Sequence, residues 1–256
     1  MHGSGAAVKA FGSIRAMFDH LTLRVSDRDA SEELYRLVLA ELGFSPSHES
    51  PAYIEWDDFG LLKLDAEHPP TTGLHIGFAA ASRAVVDAFW RAGTEIGHAS
   101  AGEPGMRPQY SDDYYGAFLL DPDGNSIEAV HHGRLRRGGT IDHLWIRVAD
   151  LEASRMFYSL VEFDEERRLE DPPRVLFSDG NGSFSIVADG EPSRNVHLAF
   201  PAANDGVVDA FHARMLDGGY RSNGAPGLRV VYHEGYYGAY VFDPDGNNIE
   251  RVHHNR

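Results

Sequence analysis

The stretch Tyr236-Tyr237-Gly238-Ala239-Tyr240-Val241-Phe242-Asp243-Pro244-Asp245-Gly246-Asn247-Asn248-Ile249-Glu250 decides the reading of this chain, because the chain has said it once already. The earlier copy is Tyr114-Tyr115-Gly116-Ala117-Phe118-Leu119-Leu120-Asp121-Pro122-Asp123-Gly124-Asn125-Ser126-Ile127-Glu128. Each reads as strand, tight turn, strand. Asp-Pro-Asp-Gly makes the turn, since proline presets φ and glycine accepts a positive φ. The strand after the turn carries a glutamate at a fixed place, and a histidine pair closes each copy, His131-His132 and His253-His254.

The repetition extends backwards. Asp19-His20-Leu21 recurs as Asp142-His143-Leu144, and Leu74-His75-Ile76 recurs as Val196-His197-Leu198. Two histidines and one glutamate keep register while the sequence between them drifts. So long a period is a domain duplication; solenoid units are shorter. In a chain of 256 residues it predicts a tail at 1–16, a domain at 17–132, a linker at 133–140 and a second domain at 141–256. The basic cluster Arg134-Leu135-Arg136-Arg137 lies among linker glycines and reads as an exposed tether.

Composition narrows the class. Apolar residues at 42% and charged residues at 24% are those of a soluble globular protein. No apolar run reaches the length of a membrane span. The start, Met1-His2-Gly3-Ser4-Gly5, lacks the basic and apolar regions of a secretory leader. With no cysteine there are no disulfides and no thiolate metal sites, so the cytoplasm is the expected compartment. A net charge of −16 argues against a nucleic-acid partner, which needs a basic face. The expected partner is a small-molecule substrate, and the expected assembly a monomer or homodimer.

Periodicity predicts βαβββ units. Residues 18–25 alternate, with Leu21, Leu23 and Val25 on one face and His20, Thr22 and Arg24 on the other. Leu34, Leu37, Val38 and Leu42 follow at helical spacing, with Asp27 or Asp29 as cap and Gly43 as stop. Short strands are expected near 44–48, 52–56 and 61–65. A second unit has a strand at 73–79, a helix through Val85, Val86, Phe89 and Trp90, and strands near 94–98, 117–120 and 126–131. The other half repeats both, with strands at 141–148, 174–178, 183–188, 196–200, 230–233, 239–242 and 248–253. The fold class is α+β: two tandem domains, each of two βαβββ units forming a curved antiparallel sheet cup. His20, His75 and Glu128 then share the concave face of one cup, and His143, His197 and Glu250 that of the other.

Two imidazoles and a carboxylate make a facial triad, an arrangement that suits Fe(II) first and Mn, Zn, Ni or Co next. Singly, each of these residues reads as an ordinary strand histidine or a surface glutamate. The recurrence of all three in register favours a metal site. Arg24 and Arg147 share register and the histidine face, where a guanidinium would meet a substrate oxyanion or an acidic neighbour at the rim. Trp145 reads as a pocket wall or as core. The tyrosine pairs read as lids or as hairpin packing. His132 and His254 share parity with the glutamates and would stand behind them; His131 and His253 read as surface.

On these residues the chain resembles the vicinal oxygen chelate superfamily of glyoxalase I, fosfomycin and bleomycin resistance proteins and extradiol dioxygenases. The resemblance spans about residues 17–132 and 141–254. It implies a divalent metal in a sheet cup, chelating vicinal oxygens of a substrate. Glyoxalase I adds a glutamate ligand from a neighbouring strand, and the matching places hold Lys63 and Ser185. The three-ligand set is that of extradiol dioxygenases and fosfomycin-modifying enzymes. Val231-Tyr232-His233, Tyr240, Asp243-Pro244-Asp245-Gly246 and Glu250 nearly match the extradiol signature, with Ala239 departing from it. That resemblance implies catalytic roles for His233 and Tyr240, beside a metal on His143, His197 and Glu250. Ser111 and Phe118 stand at the corresponding places of the first half. Tyr240 equally reads as a core aromatic. A lyase or isomerase stabilising an enediolate, and a metal-free drug-binding module, are the alternatives.

Overall fold

A computed structural model describes residues 17–133, 138–178 and 182–255; the expected tail at 1–16 and the linker cluster Arg134-Leu135-Arg136-Arg137 lie outside the described residues. The alternating stretch around His20 is strand β1 (His20–Val25), and the helix after it is α1 (Arg28–Glu41). Asp27 caps that helix by accepting from the Ala30 N–H. Strands β2 (His48–Glu49), β3 (Tyr53–Trp56) and β4 (Phe59–Lys63) complete the unit. The second unit is β5 (Leu74–Ala79), α2 (Arg83–Glu95), β6 (Ser100–Met106), β7 (Tyr115–Leu120) and β8 (Ser126–His131). The third is β9 (Ile141–Arg147), α3 (Leu151–Ser159), β10 (Asp164–Glu170), β11 (Pro173–Ser178) and β12 (Ser183–Val187). The fourth is β13 (His197–Pro201), α4 (Asp205–Asp217), β14 (Ser222–Leu228), β15 (Tyr237–Phe242) and β16 (Asn248–His253). Ser82, Asp150 and Asn204 cap the later helices as Asp27 caps the first.

The units do not combine in chain order. One eight-stranded sheet runs β14-β15-β16-β13-β1-β4-β3-β2 and the other β10-β11-β12-β9-β5-β8-β7-β6. The first joins units one and four, the second units two and three. Each half therefore supplies one unit to each sheet. The junctions are antiparallel pairings of first strands, Leu21 opposite Leu198 and Ile76 opposite Leu144. Within a unit the first and last strands run parallel, as Leu23 beside Leu61 and Ile76 beside Ile127 show, so the sheets are mixed and not antiparallel throughout. The helix crossover after each first strand and the hairpins that follow bring the last strand back in the same direction.

Strand position departs from expectation at two places. Residues 94–98 end helix α2 and turn, and 230–232 form a turn with Val230 and Val231 exposed. The strands there are the glycine-bearing β6 and β14, which propensity does not favour. Their glycines admit the rings of the neighbouring strand: a Cβ on Gly102 or Gly224 would come within 2.8 Å of Phe118 or Tyr240. Strand β10, Asp-Glu-Glu-Arg-Arg-Leu-Glu, was not expected at all; it is an exposed sheet edge, where charge discourages pairing with another chain.

The helices cover one face of the sheets. Leu34, Tyr35, Val38 and Leu39 of α1 pack with Leu21, Leu23, Phe59 and Phe78 in a core that also takes in Phe157, Phe184 and Phe200. The repeated turn is anchored to that core. Asp121 is buried; its Oδ1 accepts from the N–H groups of Asp123 and Asn125, and its Oδ2 from the Tyr35 hydroxyl at 3.0 Å. Asp243 accepts from Asp245, Asn247 and Tyr158 in the same way. With Gly124 at φ 81° and Gly246 at φ 85°, each turn fixes which residues of the next strand face the cup.

Because neither half holds a whole sheet, a fragment of residues 17–133 or one of 138–255 is expected not to bind metal as a monomer. Mixing the two is expected to restore a heterodimer that does. Light scattering after size exclusion, with metal analysis of the peaks, checks this.

Candidate metal centres

The faces away from the helices carry the histidines. Centre I is His20 from β1, His197 from β13 and Glu250 from β16; centre II is His75 from β5, His143 from β9 and Glu128 from β8. In each, one ligand atom from every residue lies within 4.8 Å of the others. All six expected ligands thus converge, but in exchanged company. His143 does not join His197 and Glu250; it joins His75 and Glu128, and His20 takes its place. The cause is the cross-half sheet, which sets β1 beside β13 and β9 beside β5.

In centre I the Nε2 atoms of His20 and His197 are 3.0 Å apart and lie 3.6 and 3.3 Å from Glu250 Oε2. In centre II the matching separations are 3.2 Å between His75 and His143, and 3.1 and 3.4 Å to Glu128 Oε2. Three donors pointing at one spot suit a divalent cation. The remote atoms are tethered: His20 Nδ1 to Asp19 at 2.9 Å, His143 Nδ1 to Asp142 at 3.0 Å, His75 Nδ1 to Ser126 Oγ at 3.0 Å. The Asn248 amide lies 2.7 Å from His197 Nδ1. A carboxylate on Nδ1 leaves Nε2 free to ligate. The second glutamate oxygen is held by tyrosine, Tyr236 to Glu250 Oε1 at 2.7 Å and Tyr114 to Glu128 Oε1 at 2.9 Å.

Space for these side chains is provided by missing ones. A Cβ on Gly116 would overlap Glu128 Oε1, one on Gly77 would overlap the His143 ring, and one on Gly238 would lie 2.6 Å from Glu250 Oε1. Glu250 Oε2 is buried without a hydrogen-bond partner, an arrangement that a cation would relieve. The donor sets therefore fit a metal.

The electrostatics agree. Burial alone would lower the His143 pKa, but hydrogen bonds with Asp142 and Glu128 outweigh it and push it up to about 10. His20 is raised in the same sense: burial opposes, and Asp19 and Glu250 prevail. Burial holds His75 and His197 below the ordinary histidine value despite their glutamates. Without metal, His20 in centre I and His143 in centre II carry a proton that the metal must displace.

The other expected residues fall in different places. Tyr240 lies across from Glu250; its hydroxyl is buried, closes no hydrogen bond, and is raised above the ordinary phenol value by burial and by Glu250. His233 does not reach the ligands directly. Its Nε2 meets His254 Nδ1 at 2.8 Å, and His254 Nε2 meets Asp19 at 2.9 Å, so it stands three contacts behind His20. His132 likewise backs Asp142 at 3.2 Å. Arg24 is half-buried with no partner on its Nε, and Arg147 donates to the Gly73 carbonyl at 2.6 Å. His131 and His253 are not free surface groups but bond the Ala80 carbonyl and Asp205. Lys63 is exposed; by register the residue matching Ser185 is Gly60, since each lies beside the second residue after the histidine, Trp145 or Thr22.

Sequence reasoning missed the tethering groups. Tyr114 and Tyr236 hold the glutamates, while Tyr115 and Tyr237 bond Asp87 and Asp209 on the helices. The recurrence of Asp19 and Asp142 beside the histidines was a readable signal for their role. Glu55 gave no signal: it sits on β3, its pKa is raised by burial, and it acts electrostatically on His20.

Fold and donors define a two-cup protein of four βαβββ units with a His-His-Glu site in each cup. The chain belongs to the Glyoxalase/Bleomycin resistance protein/Dioxygenase superfamily, whose family model matches residues 17–129 and 140–250. Glyoxalase I from Zea mays superposes with a TM-score of 0.66 at 18% identity, over 93% of this chain and 92% of that one. A Bacillus subtilis protein described as a dioxygenase superposes at 0.67 with 11% identity, over 94% of this chain and 86% of that one. At such identities these likenesses show the fold. No curated protein matches the chain. Among the described residues no helix is long and apolar enough to cross a membrane.

Gly116→Ala is expected to displace Glu128 and abolish metal binding at centre II while centre I keeps its ion; mass spectrometry of metal per chain checks this. Metal affinity at centre II should rise about tenfold per pH unit between pH 7 and 9 as the His143 proton becomes easier to displace, and level off near pH 10. In the metal-free protein the sign is opposite. The stabilising His143 proton is fully present below the unfolded histidine value and is lost as pH rises through about 10. Chelator competition and thermal melts across pH read the two effects.

Proposed function

We propose that the protein is a divalent-metal-dependent enzyme acting on an oxygen-rich small molecule, that centre I is its reacting site, and that the reaction is extradiol-type cleavage of a catechol with Fe(II). The observation that carries this reading is a cluster of buried polar atoms without hydrogen-bond partners: Tyr240 Oη, Glu250 Oε2 and Arg24 Nε. Folded chains pair nearly all such atoms, and the exceptions favour sites that wait for a ligand. Among the described residues, no donor or lining residue of centre II has such an atom.

His20, His197 and Glu250 would hold the metal, which supplies a Lewis acid and, as Fe(II), the electron chemistry that dioxygen requires. The chain's own groups do the rest. Tyr236 fixes the Glu250 carboxylate, and Asp19 fixes the ring of His20. The Tyr240 hydroxyl, kept protonated, donates to a substrate oxygen beside Glu250. Arg24 faces the developing oxyanion with an unspent N–H. The His254–His233 pair links Asp19 to the surface and offers an outlet for the proton a catechol sheds on binding.

A lyase or isomerase at the same centre is the second reading, favoured by Glu55. Burial raises its pKa toward the range of a general base, and Tyr53 donates to it at 3.1 Å.

Anaerobic purification with Fe(II), then oxygen-electrode assays on a set of catechols, tests the first reading. We expect Tyr240→Phe to keep its iron and lose at least tenfold in kcat, and Glu250→Gln to lose the centre I iron and the activity together. An iron-loaded protein that consumes no oxygen with any catechol refutes it. Loss of a proton-transfer activity in Glu55→Gln, with no oxygen uptake in the parent, establishes the second.

A further inference from the structure

The two cups share a scaffold but not a lining, and the difference follows rows across the sheets. In centre II the row through Trp145 runs to Ser185 and Leu176, and the row through Arg147 runs to Val187 and Arg174. In centre I the same rows hold Thr22, Gly60 and Glu55, and Arg24, Leu62 and Tyr53. Phe118 in centre II stands where Tyr240 stands in centre I, each opposite the ligand glutamate. Centre II therefore has Trp145 for Thr22, Ser185 for Gly60, Leu176 for Glu55, Arg174 for Tyr53 and Phe118 for Tyr240.

Two of these substitutions, Trp145 and Phe118, wall a small chamber. Its volume is about 120 Å³, and Trp145, Phe118, Tyr110, Tyr114 and Arg147 line it around the metal donors. Trp145 and Phe118 come from strands on opposite sides of β5, with ring centroids 5.6 and 5.9 Å from His75. Tyr110 meets Trp145 edge-on at 5.9 Å. Arg174, buried, places its guanidinium 4.8 Å over the Trp145 ring. Neither Arg147 nor Arg174 has a carboxylate within ion-pair distance among the described residues, although the chain has a net charge of −16. An apolar cavity of ~150 Å³ accommodates one benzene ring; this chamber is smaller but open on one side, so a single ring would fill it and leave an edge toward solvent.

We propose that centre II takes a compact aromatic carboxylate, its ring between Trp145 and Phe118 and its carboxylate on Arg147, with Arg174 adding positive potential. The inference rests on centre II being a ligand site in its own right and not on the reaction proposed at centre I. Aromatic walls select a flat ring. The cation and two guanidiniums with no carboxylate partner among the described residues favour an anion, and the planar guanidinium matches a carboxylate. Centre I, where Glu55 acts electrostatically on His20, would disfavour the added carboxylate. One chain thus presents two cups of different charge preference.

The test is titration of the Zn(II)-loaded full-length protein with benzoate, benzyl alcohol and cyclohexanecarboxylate, read by calorimetry and tryptophan fluorescence. Benzoate is expected to bind at one equivalent and to quench fluorescence, with the other two at least tenfold weaker. Trp145→Thr, which copies centre I, and Arg147→Gln should each weaken benzoate at least tenfold. Arg174→Met, at the margin of the chamber, should weaken it less, and serves if either of the others unfolds. Glu250→Gln, which empties centre I, should leave benzoate affinity unchanged, so this inference and the reading of centre I fail separately. Absence of benzoate binding at millimolar concentration overturns the proposal. So does benzyl alcohol binding as tightly as benzoate, or unchanged affinity in the folded Trp145, Arg147 and Arg174 variants.

Discussion

A carboxylate with almost no solvent access sits near the middle of each sheet, Glu128 at 1% and Glu250 at 0% exposure. An ionised group in that position costs several kcal/mol unless opposite charge and hydrogen bonds surround it. The cups are arranged to meet that demand. Two imidazoles face one oxygen, a tyrosine hydroxyl holds the other, and glycine stands where a side chain would collide. Neutralising the glutamate by a first-strand imidazolium or by a divalent cation uses the same three side chains. Proton and metal therefore compete for one place, and the aspartates behind His20 and His143 serve whichever is bound.

That arrangement depends on the turn before each glutamate. Asp121 and Asp243 reach into the core to accept from Tyr35 and Tyr158, which fixes the turn to a helix on the far face of the sheet. A slip of one residue would send the glutamate into the helix layer and Ile127 or Ile249 into the cup. The repeated phrase is thus constrained at both ends, by the core through its aspartate and by the cup through its glutamate. The centres diverge at positions that share the donors' rows or lie opposite the glutamate but carry no donor themselves. Thr22 against Trp145, Tyr240 against Phe118, Glu55 against Leu176 and Tyr53 against Arg174 change what a cup can hold while leaving its donors alone.

Legibility followed local pattern. The first strand and the turn could be read because alternation and turn chemistry are written within a few consecutive residues. Strands β6 and β14 could not, since their glycines answer to rings on a neighbouring strand. Strand β10 could not, since its charges suit an exposed edge and look like a loop. The tethers Tyr114 and Tyr236 were visible as repeated residues, but their role needs the distance to the glutamate.

By itself the sequence determined the duplication, the βαβββ units and the six residues that converge on two centres, because register within a strand decides which side chains share a face. Only the tertiary structure decided which unit pairs with which. The four first strands are near-equivalent, each leaving one edge unpaired within its own unit, so nothing local distinguishes a partner in the same half from one in the other. The choice falls to the packing of the whole chain. It moved His143 from one set of ligands to the other and brought Arg147 and Trp145 into a chamber with Phe118.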